Sequence, residues 1–228
     1  MSRFLNPQFL VVPGLVAAAL LLAFNGTGAA PRIGEPAVDD SLAATSSQQT
    51  VVLAGGCFWG MQLLFEHVKG VVNATAGYSG GSAKTAQYEV VSDGGTGHAE
   101  SVKITYDPSQ ITFGRLLQVF FEVGHDPTTL NRQGPDEGTQ YRSVIFYTTD
   151  DQQRIARAYI DQLDQMKVFP HKIVTQITPL DGFYPAESYH QDYAMNNPES
   201  MYIMVNDLPK LDHLKKQLPD LYVKKASN

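Results

Sequence analysis

A single cysteine serves all 228 residues, and it stands in "AGGCFWG": two glycines before Cys57, two large rings, Phe58 and Trp59, after it. Thiol chemistry runs through the thiolate, so a reactive cysteine needs surroundings that favour negative charge on sulfur. The start of a helix can supply this, through unpaired N–H groups and the positive end of the helix dipole. The glycines permit a tight turn and let a substrate approach the sulfur. The two rings offer apolar surface to a methylated or sulfur-bearing ligand. The competing reading is equally physical: a cysteine buried as a small hydrophobe, with Phe58 and Trp59 anchoring a helix in the core. His98 invites a Cys–His pairing, although a loop histidine is commonly occupied by backbone hydrogen bonds.

For Cys57 to begin a helix, a strand must end just before it. "TVVLAG", from Thr50, is a short apolar run suited to a buried strand. Met61, Leu64, Phe65 and Val68 then recur at helical spacing, and Gly70 is a fitting stop. "VVNATAGYSGG" reads as a second strand entering a glycine-rich loop. In residues 100–107, "ESVKITYD", Val102, Ile104 and Tyr106 alternate with polar neighbours, as a strand requires. A helix is expected from Thr112, with Leu116, Leu117, Phe120 and Phe121 on its apolar side, and "RSVIFYT" is another strand. Thr149 and Gln152 form a capping-box pattern ahead of a helix that turns Ile155, Tyr159 and Leu163 to the core. "KIVTQI" is a further strand, and residues 211–218 a short last helix. This order predicts an α+β fold: a two-layer sandwich of helices on a small mixed β-sheet. Residues 78–99, 125–140 and 179–206 exceed normal connections and are rich in Gly, Tyr, His and Asp, so they read as long functional loops.

The formal charge of −6 leaves no basic stripe for a phosphate backbone, so nucleic acid is not an expected partner. No C-x-x-C pair and no H-E-x-x-H spacing occurs, which disfavours a disulfide oxidoreductase and a metal centre. Residues 1–30 hold Arg3, the apolar run "FLVVPGLVAAALLLAF" and small residues at Gly28 and Ala30, the pattern of a secretory signal peptide, with a membrane anchor as its rival. The protein is therefore expected to be exported, periplasmic or secreted. Residues 31–49 read as a flexible linker, 50–208 as the folded domain and 209–228 as a C-terminal helix and tail; a monomer is expected. Exported cysteines usually pair, so one left over points to a reactive thiol or an intermolecular bridge.

"GGCFWG" closely resembles the active-site signature of the A-type peptide methionine sulfoxide reductases. Further segments match in order: "GYSGG", "YEVVSDGGTGHAESVKITYDPSQI", "HDPTTLNRQGPDEGTQYRSVIFY" and "FYPAESYHQDY". The resemblance spans residues 51–193 and implies that 50–208 is a catalytic domain. By it, Cys57 would be the nucleophile that attacks the sulfoxide sulfur. Phe58 and Trp59 would wall the pocket for the methyl group. Glu100 would hydrogen-bond the sulfoxide oxygen and supply a proton, with Tyr88 and Tyr141 sharing that oxygen. Asp136 resembles the acidic residue near the substrate amide, and His190 a pocket-lining position. The residue types suit the chemistry: sulfoxide sulfur is a weak electrophile until its oxygen is hydrogen-bonded or protonated. Glu100 helps only while it holds a proton, which needs an apolar pocket or a nearby negative charge.

The sequence departs from many relatives in lacking a second cysteine to resolve the sulfenic acid left on the first. A one-cysteine cycle is implied, with no bound cofactor and an external thiol, thioredoxin-like or small, as reductant. The substrate would be methionine sulfoxide, free or in oxidised proteins, and only its S epimer, since no B-type domain is attached. Gln62 stands where relatives commonly have Glu, with no loss of activity expected. Two rivals remain at this point: a Cys–His hydrolase, and a non-catalytic module that binds methionine-rich peptides through Phe58 and Trp59.

Overall fold

A computed structural model of the chain describes residues 33–225; the expected signal segment, 1–30, lies outside the described residues. The elements that position the thiol come first: β1 (Gln49–Gly55), α1 (Phe58–Glu66), β2 (Val71–Ser79), α2 (Tyr88–Ser92) and β3 (Ala99–Tyr106). Next are α3 (Phe113–Val119), continued by a wide π-helical turn at Phe120–Gly124, the small hairpin β4 (Arg132–Gln133) and β5 (Asp136–Glu137), then β6 (Ser143–Tyr147) and α4 (Asp150–Gln165). The chain closes with β7 (Gln176–Pro179), β8 (Phe183–Pro185), α5 (Tyr193–Asn196), a second π-helical turn at Ile203–Asp207, and α6 (Leu208–Gln217).

Six strands form one sheet in the order β7-β6-β1-β3-β2-β8, antiparallel except where β6 and β7 run parallel. The mixed α+β sandwich expected from the element order is thus present. Strand β1 is apolar throughout because both of its faces are covered. Val51 and Leu53 pack with Leu64 of α1, Leu116 of α3 and Ile155 of α4, whereas Val52 and Ala54 pack with Val144, Phe146, Leu180 and Phe183. In β3 the two-residue period turns Val102, Ile104 and Tyr106 to the helical layer. The same parity turns Glu100 to that side, in a strand held between β1 and β2. A glutamate that opens a strand would ordinarily carry its charge at an exposed edge, but Glu100 is only 3% exposed.

Several expectations need correction. Residues 33–48 form almost no regular structure, yet they are not a free linker. Ile33 is buried, its N–H donates to Glu122 at 2.7 Å, Asp39 accepts the Gly114 N–H at 2.8 Å, and the Tyr159 hydroxyl donates to the Gly34 carbonyl at 2.7 Å. Composition could not reveal this, because every one of these partners lies more than 70 positions away along the chain. The boundary at 208/209 separates nothing either: Leu218 and Leu221 are buried, and the Val223 N–H donates to the His67 carbonyl at 2.9 Å. The strand expected over "KIVTQI" starts only at Gln176, since the Val174 N–H is drawn to Pro127. The last helix begins at Leu208 with Pro209 in its first turn, where a missing N–H costs nothing. Thr149 does cap α4 by accepting the Gln152 N–H, but the Gln152 side chain answers to the Thr148 N–H instead of that of Thr149.

Candidate active site

Cys57 is the residue that caps α1, and its backbone is still extended (φ −56°, ψ 127°). The turn that delivers it depends on Gly56, whose φ is +96° and where a Cβ would lie 2.7 Å from the Gln133 side chain. Behind the half-buried sulfur stands Glu100. Its Oε2 accepts the Phe58 N–H at 3.0 Å, one of the donors that an α-helix leaves unpaired at its start. Burial raises this carboxyl to about 8, against the pull of that N–H and aided by the charge of Asp136. At neutral pH Glu100 is a carboxylic acid.

The thiol follows the same physics. Burial first, then the charges of Glu100 and Asp207, push Cys57 well above the ordinary thiol range. The Trp59 N–H and the Tyr202 hydroxyl favour the thiolate but are outweighed. The helix start favours the thiolate, as expected, but is outweighed. The first N–H of the helix goes to Glu100, and the sulfur waits as a thiol.

The ring following Cys57, Phe58, is fully buried, with the Tyr78 and His190 rings at 5.8 and 5.1 Å. Trp59 is half-buried, stacks on Tyr193 at 4.0 Å and meets the edge of Tyr202 at 5.9 Å. Its indole N–H donates to His190 Nδ1 at 3.1 Å, which leaves the His190 proton on Nε2. Burial lowers the His190 pKa, so the imidazole is neutral and clamps the indole in place. His190 is held in turn by its neighbour: Gln191 accepts the Ala76 N–H and donates to the Ala76 carbonyl, both at 3.0 Å. Gln62 explains itself here. Its amide donates to the Ala74 carbonyl and accepts the Asp192 N–H, both at 3.0 Å, a pair of roles an ionised glutamate could not fill.

Tyr88 begins α2, with its N–H on Glu187 Oε1 at 3.0 Å, while Glu187 Oε2 accepts the Tyr78 hydroxyl at 2.9 Å. Tyr141 ends the turn Thr139–Tyr141, which Arg142 fixes by donating to the carbonyls of Thr139, His98 and Gly97 at 2.8 to 2.9 Å. Burial, followed by the charge of Glu100, raises both tyrosines, and the charge of Cys57 adds to each. Neither hydroxyl bonds another protein group among the described residues, so both remain free to donate. Asp136 accepts the Tyr202 hydroxyl at 2.5 Å and lines a cleft with Cys57.

The seven other residues expected at the site are thus gathered around Cys57, and the three long loops supply Tyr88, Asp136 and His190. His98 does not belong: it accepts the Gly81 N–H at 3.3 Å and donates to the Ser82 carbonyl at 3.0 Å, so it is a loop brace. Sequence reasoning missed Tyr202, Asp207 and Glu187. Tyr202 was one of 11 tyrosines with no spacing to mark it, and Asp207 lies in a π-helical turn whose period no amphipathic template anticipates.

Residues 49–221 match the family model described as peptide methionine sulfoxide reductase. A relative from Mesorhizobium japonicum, peptide methionine sulfoxide reductase MsrA 2, is 58% identical over 182 residues, covering 80% of this chain and 93% of that protein. Its counterpart in Synechocystis is 52% identical over 190 residues, covering 82% and 89%. Among solved structures, reduced Mxr1 of Saccharomyces cerevisiae superposes with a TM-score of 0.60 at 34% identity, over 70% of this chain and 94% of that one. Methionine sulfoxide reductase A of Corynebacterium diphtheriae gives 0.60 at 35% identity, over 68% and 77%.

Proposed function

The chain belongs to the peptide methionine sulfoxide reductase family, and from its thiol-dependent reduction of methionine sulfoxide we propose how the residues around Cys57 divide the work. The methyl group of the substrate packs against Phe58 and Trp59, with His190 fixing the angle of the indole. The sulfoxide oxygen faces Glu100 and the free hydroxyls of Tyr88 and Tyr141. Asp136 meets the substrate's amide through the cleft it shares with Cys57. Cys57 attacks the sulfur, Glu100 protonates the oxygen, and methionine leaves Cys57 as a sulfenic acid. The observation that carries this reading is the buried, proton-holding Glu100 beside the thiol, bound to the first N–H of the helix that Cys57 caps.

The absence of any second cysteine supports a cycle closed from outside. One external thiol converts the sulfenic acid to a mixed disulfide with loss of water, and a second thiol releases Cys57. A thioredoxin-like protein fits this role, with small thiols as substitutes, and no bound cofactor takes part. The protein is taken to act as a monomer. The apolar run of residues 9–24 and the small residues that follow support export, with the folded part outside the cytoplasm. The S epimer alone is reduced, whether free or in a peptide.

The test is a single turnover without reductant, on S- and R-methionine sulfoxide peptides separately, with dimedone to trap sulfenic acid. About one equivalent of methionine from the S epimer only, with the Cys57 peptide trapped, is the expected result. No methionine and an unmodified thiol would discard the mechanism and favour a methionine-binding module.

A further inference from the structure

The wide turn Ile203–Asp207 ends on Asp207, and α6 starts at the next residue. Such turns shift side-chain register and occur often at functional sites. This one brings the Asp207 carboxyl against the first turn of α1, where a Cβ on Gly60 would lie 2.0 Å from Oδ1. Asp207 is 1% exposed, yet its burial is poorly compensated. Lys210 Nζ is 3.7 Å from Oδ1, and Oδ2, also buried, has no hydrogen-bond partner among the described residues. Leaving a carboxyl oxygen without a protein partner in the interior is costly; Glu66 Oε2 is likewise unpartnered, but only Asp207 shares its cleft with the thiol. Asp207 lines a cleft of about 80 Å³ whose walls include Cys57, Asp136, Tyr202, Asn206 and Lys210. That volume admits a few water molecules, enough to join carboxylate and sulfur.

We infer that Asp207 accepts the proton of each thiol that reacts at this site: first that of Cys57, then that of the incoming reductant. The inference rests on Cys57 as the nucleophile. Two buried carboxyls then share the proton traffic. The groups facing Asp207 are Cys57, Glu100, Asp136 and Lys210. Burial, with Asp136 adding and Lys210 opposing, places Asp207 at about 6, while Glu100 stands at about 8. Near neutral pH one is a base and the other an acid, the separation that acid–base chemistry needs.

The atoms balance. As the Cys57 sulfur bonds to the sulfoxide sulfur, Asp207 takes the S–H proton through water. Glu100 gives its proton to the oxygen as the S=O bond opens. The hydroxyl then passes to Cys57 as the S–S bond breaks and its electron pair returns to the methionine sulfur. Cys57 has lost two electrons and the sulfoxide has gained two. Asp207 is left protonated and Glu100 ionised, and one proton moved between them through water resets both. In recycling, Asp207 takes the proton of the reducing thiol as its sulfur bonds to Cys57, and Glu100 protonates the departing hydroxide to water.

The test is Asp207→Asn in two assays across pH: single-turnover reduction of an S-methionine sulfoxide peptide, and alkylation of Cys57 by iodoacetamide. Removing a negative charge beside the thiol should speed alkylation several-fold at pH 7. Reduction should nevertheless fall by about 10² and lose its rise between roughly pH 5 and 7. Faster alkylation with unchanged or faster reduction would overturn the inference, because Asp207 would then only suppress the thiolate. Slowing in both assays together with a lost near-UV signal would mean misfolding, and Lys210→Gln then decides. Without the ammonium, Asp207 binds its proton more tightly, so the rise in reduction must move to higher pH; an unmoved profile overturns the inference. Cys57→Ser run alongside separates the two levels: if it still turns over, the nucleophile assignment itself fails, whatever Asp207 does.

Discussion

Helix α1 has a buried glutamate at each end, and the pair invites comparison. Glu100 reaches its N-terminus from β3 and accepts the Phe58 N–H at 3.0 Å. Glu66 lies in its last turn and meets Lys225 of the C-terminal tail at 2.8 Å. A cation in contact ought to keep Glu66 ionised, and the positive end of the helix dipole ought to do the same for Glu100. Neither does: burial raises Glu66 to about 7 and Glu100 to about 8. A carboxyl that holds its proton near neutral pH is therefore not by itself a sign of catalysis. Neighbours make the difference. Glu100 has a thiol, two free phenolic hydroxyls and apolar rings around it. Glu66 has Lys225 and the groove shared with Gln62, Asn73 and Gln191, none of them a nucleophile.

The strongest way to break this comparison is to neutralise both glutamates. Reduction requires protonated Glu100, so the wild-type single-turnover rate should fall as pH rises through about 8. Glu100→Gln keeps a hydrogen-bond donor but has no proton to give. It should lower the rate about 10²- to 10³-fold at pH 7 and abolish that descending limb. Glu66→Gln should leave both rate and limb in place. Equal effects from the two variants would remove the distinction drawn here. Stopped-flow quenching between pH 6 and 10, with methionine quantified by chromatography, reads both outcomes.

The hydroxyls sharpen the same contrast on a smaller scale. Tyr88→Phe and Tyr141→Phe each remove one donor to the sulfoxide oxygen, and each should cost about 10² in kcat with little change in KM. The double variant should lose less than the product of the two, because Glu100 still holds the oxygen. If either single variant leaves kcat unchanged, that ring is only packing around Glu100.

Much of this site was legible in the sequence because its logic is local. The run "TVVLAGGCFWG" carries strand, turn, cap and rings within a few residues, whereas Glu100 at the start of β3 reads by itself as an exposed edge charge and is marked, like Tyr88, Tyr141, Asp136 and His190, only by the family resemblance. What escaped is what depends on distant partners. Glu187 braces Tyr88 and Tyr78, positions 99 and 109 residues away, and nothing near "PAESYH" announces that. Asp207 lies 150 residues beyond Cys57 and reaches it only because a π-helical turn re-aims it against Gly60. The balance that keeps the resting sulfur a thiol escaped for a related reason. The helix start was visible, but the burial and the second carboxyl that outweigh it were not.

The smallest expected effect lies at the other end of α1, and it is one of stability alone. Glu66 has a folded pKa of about 7 against an ordinary value of 4.5, so between these the folded state binds more protons than the unfolded chain. Its contribution is fully present below about pH 4.5 and is lost as pH rises through 7. Glu66→Gln removes the buried charge and lets Lys225, 40% exposed, return to water. The lost ion pair is worth no more than about 1 kcal/mol. Relief of the desolvation cost exceeds it, leaving a net gain of about 1 kcal/mol at pH 8. In a domain of this size that is about 2 to 4 °C in Tm. At pH 4.5 most of the gain should vanish, since the glutamate is then protonated in the folded state and half protonated in the unfolded one. Calorimetric scans of both proteins at the two pH values test this. A Tm difference that stays constant with pH would mean that packing, and not ionisation, governs this end of the helix.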